Sequence, residues 1–378
     1  MSFAPRCLAT AIGSLPHVEV QQAVEIVLAN VPDAPNWPQL PATGLREQME
    51  VQYSEGIPRV VLDPDKQRMY INTAGDCSLE LAEFYEKFLA DDFDHFQITS
   101  GFSRGIYAME SALASTAATR AFVKLQTTGP ISFGLSIVDE NKRAIYYHPE
   151  FVDVVVKALA MKCRWQIRKF RKFAKGVICF IDEPILSAFG SSTYVSVTRD
   201  DVVAKLGEVI EAVHAEGALA GVHCCGNTEW PILMDAGADI VNFDAFDYGD
   251  TINLYPQAMK CHIESGKALA WGIVPTNSAK IQAETPETLV TRFHGLVDKL
   301  ARAANLDREL ILRQALITPA CGTGSLPVAD AERVFLLRQA LITPACGTGS
   351  LPVADAERVF RTLRATSVTL QSQKGVGA

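Results

Sequence analysis

Residues Leu219 to Cys225 read LAGVHCC, and Ile240 to Asp244, after a turn-rich interval, read IVNFD. Each is a short apolar run, rich in small or β-branched residues and ending on a polar side chain, which is the signature of a strand and too short for a helix. Neither begins with an apolar/polar alternation, so both faces are expected to be buried, as in a parallel sheet covered by helices. Working outward, six more runs of the same kind appear. Upstream are Leu8 to Ser14 (LATAIGS), Trp37 to Pro41 (WPQLP), Phe122 to Thr128 (FVKLQTT) and Val177 to Asp182 (VICFID); downstream are Ala268 to Ile273 (ALAWGI) and Ala315 to Cys321 (ALITPAC). Between most of them lie stretches with helical periodicity and charged outer faces: Val18 to Asn30, Ser78 to Asp91, Phe151 to Phe173, Asp200 to Glu216 and Pro286 to Ala304. Eight strands alternating with helices predict an α/β fold, a (β/α)8 TIM barrel, whose functional groups stand at the C-terminal ends of the strands.

The interval from Gln52 to Gly105 is longer than one barrel helix needs. Within it VVLDPDKQRMYI (Val60 to Ile71) predicts a β-hairpin turning at Asp63-Pro64-Asp65-Lys66, a decoration of residues 58–73 over one mouth of the barrel. No Ser/Gly-rich linker divides the chain, so residues 1–378 are expected to form one domain, with a polar, frayed tail after Ser367. One oddity interrupts this reading. The segment Leu312 to Phe335 (LRQALITPACGTGSLPVADAERVF) recurs letter for letter from Leu337 to Phe360. A closed barrel has one place for an eighth strand, so one copy is surplus; the first follows the preceding helix at the expected distance and is the expected occupant.

The bulk numbers narrow the function class. The chain has 378 residues, 48% hydrophobic and 21% charged, with 43 acidic against 35 basic residues and a net charge of -8. No basic block supplies the footprint of a nucleic-acid binder, and no apolar run reaches the length of a membrane span. A cytoplasmic protein acting on small molecules is the expectation. Nine cysteines, an odd number without framework spacing, read as reduced thiols rather than disulfides.

The strand ends carry the chemistry. On an extended strand His223 and Cys225 point to one side and Cys224 to the other. An imidazole and a thiolate at the barrel mouth are half of a tetrahedral zinc site. Cys321 ends the eighth strand (Cys346 in the second copy) and Asp244 ends the sixth, so strands five, six and eight would deliver one N, two S and one O ligand to one mouth. Two thiolates would leave zinc a mild Lewis acid suited to holding an incoming thiol as thiolate, which points to thiol alkylation rather than hydrolysis. Asp182-Glu183-Pro184 ends the fourth strand. Asp182, on the inward phase, either binds a substrate ammonium, leaving Glu183 to brace the loop, or caps the next helix. Ile12-Gly13-Ser14 and Thr128-Gly129-Pro130 are strand-to-loop turns whose glycines permit close backbone approach to a ligand.

Taken in order, AIGSLP, TTGP, FIDEP, VHCC, ADIVNFD and PACG resemble the catalytic barrel of cobalamin-independent methionine synthase and its single-barrel relatives, within the uroporphyrinogen decarboxylase-like barrels. The resemblance runs from Leu8 to about Arg361. It implies that His223, Cys225 and the Cys of PACG are zinc ligands, that a carboxylate at the position of Asp244 is the fourth, that Asp182 and the neighbouring Glu183 belong to the substrate side, with Asp182 holding the homocysteine amino group, and that Ile12, Gly13 and Ser14 surround that amino acid. The family has Glu where this chain has Asp244. Its second-strand Glu has no clear counterpart, Gln39 and Glu55 being the candidates.

Two departures bear on the methyl donor. There is room here for only one barrel, and Asn277 in WGIVPTNS stands where the folate-using enzymes have a proton-donating His, a task an amide cannot perform. The expected function is therefore zinc-dependent methyl transfer to a thiol, homocysteine above all, from a methyl-corrinoid, free or carried on a corrinoid protein, or from methyltetrahydrofolate. The competing expectations are a uroporphyrinogen decarboxylase-like lyase, whose cleft would offer acids and arginines without metal, and an impaired barrel that only binds a thiol or a corrinoid protein.

Overall fold

The computed structural model describes residues 3–116, 119–194 and 196–340. Ten strands are present among them: β1 (Leu8–Ala9), β2 (Val60–Asp63), β3 (Arg68–Ile71), β4 (Arg120–Thr128), β5 (Val138–Asp139), β6 (Ala174–Asp182), β7 (Leu219–Cys224), β8 (Ile240–Phe243), β9 (Ala268–Val274) and β10 (Ala315–Pro319). Seven of them form one parallel sheet in the order β1-β10-β9-β8-β7-β6-β4. This is the α/β TIM-barrel architecture read from the sequence, with one correction.

The second barrel strand is not a regular one. The chain between β1 and β4 passes through residues 33–39 and touches both edges of the sheet, through single parallel bridges Ser14 to Gln39 and Asn36 to Lys124. Backbone bonds from Phe122 N to Asp33 O (2.9 Å), Lys124 N to Pro35 O (2.9 Å), Gln39 N to Gly13 O (3.1 Å) and Leu15 N to Gln39 O (2.8 Å) hold it there. Pro32, Pro35, Pro38 and Pro41 recur at every third position of this segment. Each removes a backbone donor, so a continuous ladder cannot form.

The expected helices are present as α1 (Val20–Asn30), α2 (Ser78–Leu89), α5 (Pro149–Phe170), α6 (Arg199–Ala215) and α11 (Pro286–Ala304), and others join them: α3 (Arg104–Ala114), α4 (Pro130–Ser136), α7 (Pro231–Asp235), α8 (Ala245–Tyr248), α9 (Pro256–Glu264), α10 (Ser278–Ala283), α12 (Arg308–Arg313) and α13 (Val328–Ala340). Their starts are marked locally. Thr198 accepts from Asp201 N at the head of α6, and Thr285 and Thr288 form a reciprocal capping box at the head of α11, with Pro286 in its first turn. The hairpin is β2 paired antiparallel with β3, Val60 opposite Ile71 and Asp63 opposite Arg68, and β5 adds a third, parallel strand to it.

The last barrel strand, β10, comes from the first copy of the repeat and pairs with both β9 and β1. Of the second copy only the first residues, at the end of α13, are described. Cys346, the remainder of that copy and the tail after Ser367 lie outside the described residues. Among the described residues no helix is long and apolar enough to cross a membrane.

Strand alternation divides the core in two. A small cluster that includes Ile178, Phe180, Ile240, Ala270 and Leu316 lies on one face of the sheet, and a much larger one lies under the helices. Following the inward phase along each strand, Ile178-Phe180 leads to Asp182, Leu219-Gly221 to His223 and Ile240 to Asn242. The barrel is therefore apolar below and polar at the C-terminal ends of its strands.

Candidate metal centre

Strand register sets the site. Thr128 pairs with Asp182, Asp182 with His223, His223 with Asn242, and Asn242 with Ala270. Neighbours paired in a parallel sheet share a face, so Asp182, His223 and Asn242 form one inward row. Cys225 is two residues beyond His223 and projects the same way. Cys321 arrives from β10, whose pairing with β9 shifts register between Thr318 and Pro319, an irregularity that re-aims the residues after it.

The ligand atoms of His223, Cys225 and Cys321 all lie within 4.8 Å of one another. A tetrahedral zinc ion would hold such ligands roughly 3.3–3.8 Å apart, so small side-chain adjustments close the set. His223 is 2% exposed, its Nδ1 lies 2.5 Å from Asn242 Oδ1, and its Nε2 is buried without a hydrogen-bond partner. An orphaned imidazole nitrogen beside two sulfurs is a donor set that fits zinc.

The electrostatics agree with close contact. A hydrogen bond from Cys321, and then His223, hold the Cys225 thiol well below its ordinary value, while the same contact with Cys225 pushes Cys321 up. Burial pulls His223 down, but the Cys225 sulfur, Asp182 and the Asn242 amide outweigh it and leave the imidazole raised. Burial raises the Asp182 carboxyl, against the opposing charges of Lys124 and His223.

These groups face a cavity of about 370 Å³ lined by Ile12, Ser14, Gln39, Glu47, Met49, Asp182 and the three candidate ligands, among others. Asp182 Oδ1 is buried without a partner in it. The loop after β10 closes one side: Thr323 N and Oγ1 both donate to Ser14 O at 2.9 Å, and Gly324 N donates to Ser14 Oγ at 3.3 Å. No Arg or Lys lines the cavity among the described residues. An adjoining cleft of about 550 Å³ shares Glu47 and takes Leu62, Pro64 and Gln67 of the hairpin as one wall, so the decoration stands beside the mouth.

Several expected residues sit elsewhere. Asp244 is not in the cluster: β8 ends at Phe243, and the Asp244 carboxylate instead accepts from Asp247 N at 2.9 Å as the cap of α8. Burial raises its carboxyl to about 6. Glu183 does not line the cavity. Its carboxylate accepts from Ile131 N (2.9 Å), Ser132 N (2.7 Å) and Ser132 Oγ (2.7 Å), bracing the start of α4. Gly13 meets Gln39 through its backbone while Ile12 and Ser14 face the cavity. Of the two second-strand candidates, Gln39 lines the cavity and Glu55 is bound to Thr99, N and Oγ1. Asn277 caps α10, accepting from Ala279 N and Lys280 N.

Glu47 escaped the sequence reading. It is 6% exposed, and its Oε1 accepts from Arg104 N and Nε. It ends a single 3-10 turn (Leu45–Glu47) after the proline-rich segment, too short for any periodicity to mark a residue as inward-facing.

In sequence, no family model and no curated protein matches the chain. In fold, solved structures do. A B12-independent methionine synthase from Shewanella sp. W3-18-1, solved in complex with selenomethionine, superposes with a TM-score of 0.53 at 12% identity, over 95% of this chain and 99% of that one. A candidate vitamin-B12-independent methionine synthase from Listeria monocytogenes gives 0.50 at 12% identity, over 85% and 84% of the two chains. A methyltransferase from Methanosarcina mazei gives 0.49 at 11% identity, over 87% of each. The chain therefore has the fold of the Shewanella and Listeria proteins.

Proposed function

We propose that the chain is a zinc-dependent methyltransferase that moves a methyl group to a thiol, homocysteine above all, from a methyl-corrinoid or methyltetrahydrofolate. The observation that carries this reading is the convergence of His223, Cys225 and Cys321 within 4.8 Å beside Asp182, whose Oδ1 is buried without a partner. The likeness of fold to methionine synthases supports it, and so does the selenomethionine complex of the Shewanella protein, since that ligand is the selenium analogue of S-methylated homocysteine. When bound, zinc holds an incoming thiol as its thiolate at neutral pH.

The chain's own residues supply the rest. Asp182 offers a free carboxylate oxygen to an ammonium, the Lys124 charge opposing the effect of its burial, and among the described residues no competing cation lines the cavity. Ser14 and the glycines of the CGTG loop bring backbone close to the substrate. Glu183, tied to the head of α4, fixes the end of β6 from which Asp182 projects. A volume of about 370 Å³ suits an amino acid of this size. Among the described residues the cavity is lined by none of the arginines a polycarboxylate decarboxylase would need. With Asn277 committed to capping α10, no histidine acid stands at that position, which favours a donor whose leaving group needs no proton, as a corrinoid's does.

The test is metal analysis of the purified chain with methyl-transfer assays to homocysteine from methylcobalamin and from methyltetrahydrofolate. Stoichiometric zinc with transfer from at least one donor is expected. Zinc-loaded protein that moved no methyl from either donor would sink the reading. D182N is expected to keep its zinc and raise the KM for homocysteine roughly 10–100-fold, the worth of a hydrogen bond to a charged group.

A further inference from the structure

Asn242 is the one polar side chain in the run Ile240 to Phe243, and it is fully buried. An amide is a poor choice for a strand and costly to bury unless every donor and acceptor is matched. Here they are matched in one way only. Nδ2 donates to Ala270 O at 2.8 Å and to Thr318 Oγ1 at 2.8 Å. A backbone carbonyl can only accept, so the NH2 end must face β9 and β10, and Oδ1 must face His223. Oδ1 in turn can only accept, so the hydrogen of the short contact to His223 Nδ1 belongs to the imidazole. The proton of a neutral imidazole is then on Nδ1 and the lone pair on Nε2, the atom that is buried without a partner next to the two sulfurs.

We infer that Asn242 is a positioning residue that fixes the tautomer and ring orientation of His223, making Nε2 its metal-binding atom. The inference rests on the metal-centre reading above and adds to it the device that presets one ligand. Metal-bound histidines owe their orientation to such a partner on the other ring nitrogen. The choice of a neutral amide has a further effect: a carboxylate there would draw the imidazole toward its charged form and increase its basicity, while an amide orients it without adding charge. The network also ties the ligands together. His223 is on β7, Asn242 on β8, Ala270 on β9 and Thr318 on β10, three residues before Cys321, so the groups that aim the imidazole are anchored on the strand that delivers the third ligand.

The test is zinc affinity by competition with a chelator, together with the absorption spectrum of the cobalt-substituted protein, in the wild type, N242L, N242D and T318V. N242L is expected to bind zinc 10–100-fold more weakly and to shift the cobalt spectrum, because the ring loses its anchor. N242D, which still accepts from Nδ1, is expected to recover part of that loss. T318V, which leaves the Ala270 carbonyl in place, is expected to weaken binding by a smaller factor in the same direction. Wild-type affinity and spectrum in N242L, with zinc lost in C321A, would overturn the positioning role and leave the metal centre standing. Failure of the wild type to bind zinc at all would overturn both. If N242L does not fold, N242D and T318V decide, and wild-type behaviour in both overturns the inference.

Discussion

Lys124 places an ammonium inside the barrel with no exposed surface. It is held by the Ile12 carbonyl and by Gln126 Oε1 at 3.2 Å, and it lies 4.7 Å from the centre of the Phe180 ring. Burial lowers its pKa to about 8, with Asp182 opposing. An unfolded lysine titrates near 10.4, so between about 8 and 10.4 the unfolded chain holds the extra proton and stability rises with pH across that window. Below about 8 both states are protonated and the full cost of burial applies. The difference in unfolding free energy between wild type and K124M, measured by urea titration from pH 7.5 to 10.5, should change in the wild type's favour by up to about 3 kcal/mol as pH rises. Parallel pH profiles would show that Lys124 does not titrate there. Such a residue was visible in the sequence only as the K of FVKLQTT. The same limit separates what was legible in the site from what was not. His223, Cys225 and Asp182 follow from period-two alternation at strand ends, which needs no partner strand. The role of Asn242 depends on its pairing with His223, and the capping position of Asp244 depends on β8 ending one residue earlier. Neither fact is local to the sequence.

At the scale of elements, the turn between β4 and α4 is built around one close approach. A Cβ on Gly129 would overlap the Glu183 carboxyl group, whose two oxygens accept three hydrogen bonds from the head of α4. The backbone φ of Gly129 is -82°, open to any residue, so space alone demands glycine. G129A should cost at least about 2 kcal/mol in denaturant unfolding, from overpacking and from the donors it strips of their acceptor. G295A is the control: Gly295 lies within α11 with open space about its Cβ position and should gain about 0.5–1 kcal/mol. Equal effects from the two substitutions would refute the packing account. Other elements show where local reading stops. Helix α11 carries its own capping box and was legible to the residue, whereas the proline-rich segment 33–39 has no ladder of its own and is placed by β1 and β4. The tetrapeptide LRQA makes the point most directly. At Leu312 to Ala315 it ends α12 and enters β10, and at Leu337 to Ala340 it continues α13. Identical residues take different structures because β9 and β1 offer one edge to be filled and the first copy fills it.

For the molecule as a whole, the candidate ligands span the sheet. His223 and Cys225 belong to β7 and its end, Cys321 follows β10, and β8 and β9 lie between them. A metal bound to all three would tie the two sides of the barrel mouth together and stabilise the folded state alone, since the unfolded chain brings the three groups together only at the entropic cost of closing a long loop. Linkage gives about 4 kcal/mol when free zinc is a thousandfold above its dissociation constant. For a chain of this size that is a rise in Tm on the order of 5–10 °C. Chelation should therefore lower the Tm of the wild type by that amount, and restoring zinc should recover it. C321A should start at the lower value and ignore both treatments. C346A, which changes the equivalent cysteine of the second copy, should behave as the wild type, because it is the first copy whose cysteine stands with His223 and Cys225. The opposite pattern, with C346A insensitive to zinc and C321A responsive, would mean that the second copy supplies the ligand and would overturn the assignment of Cys321.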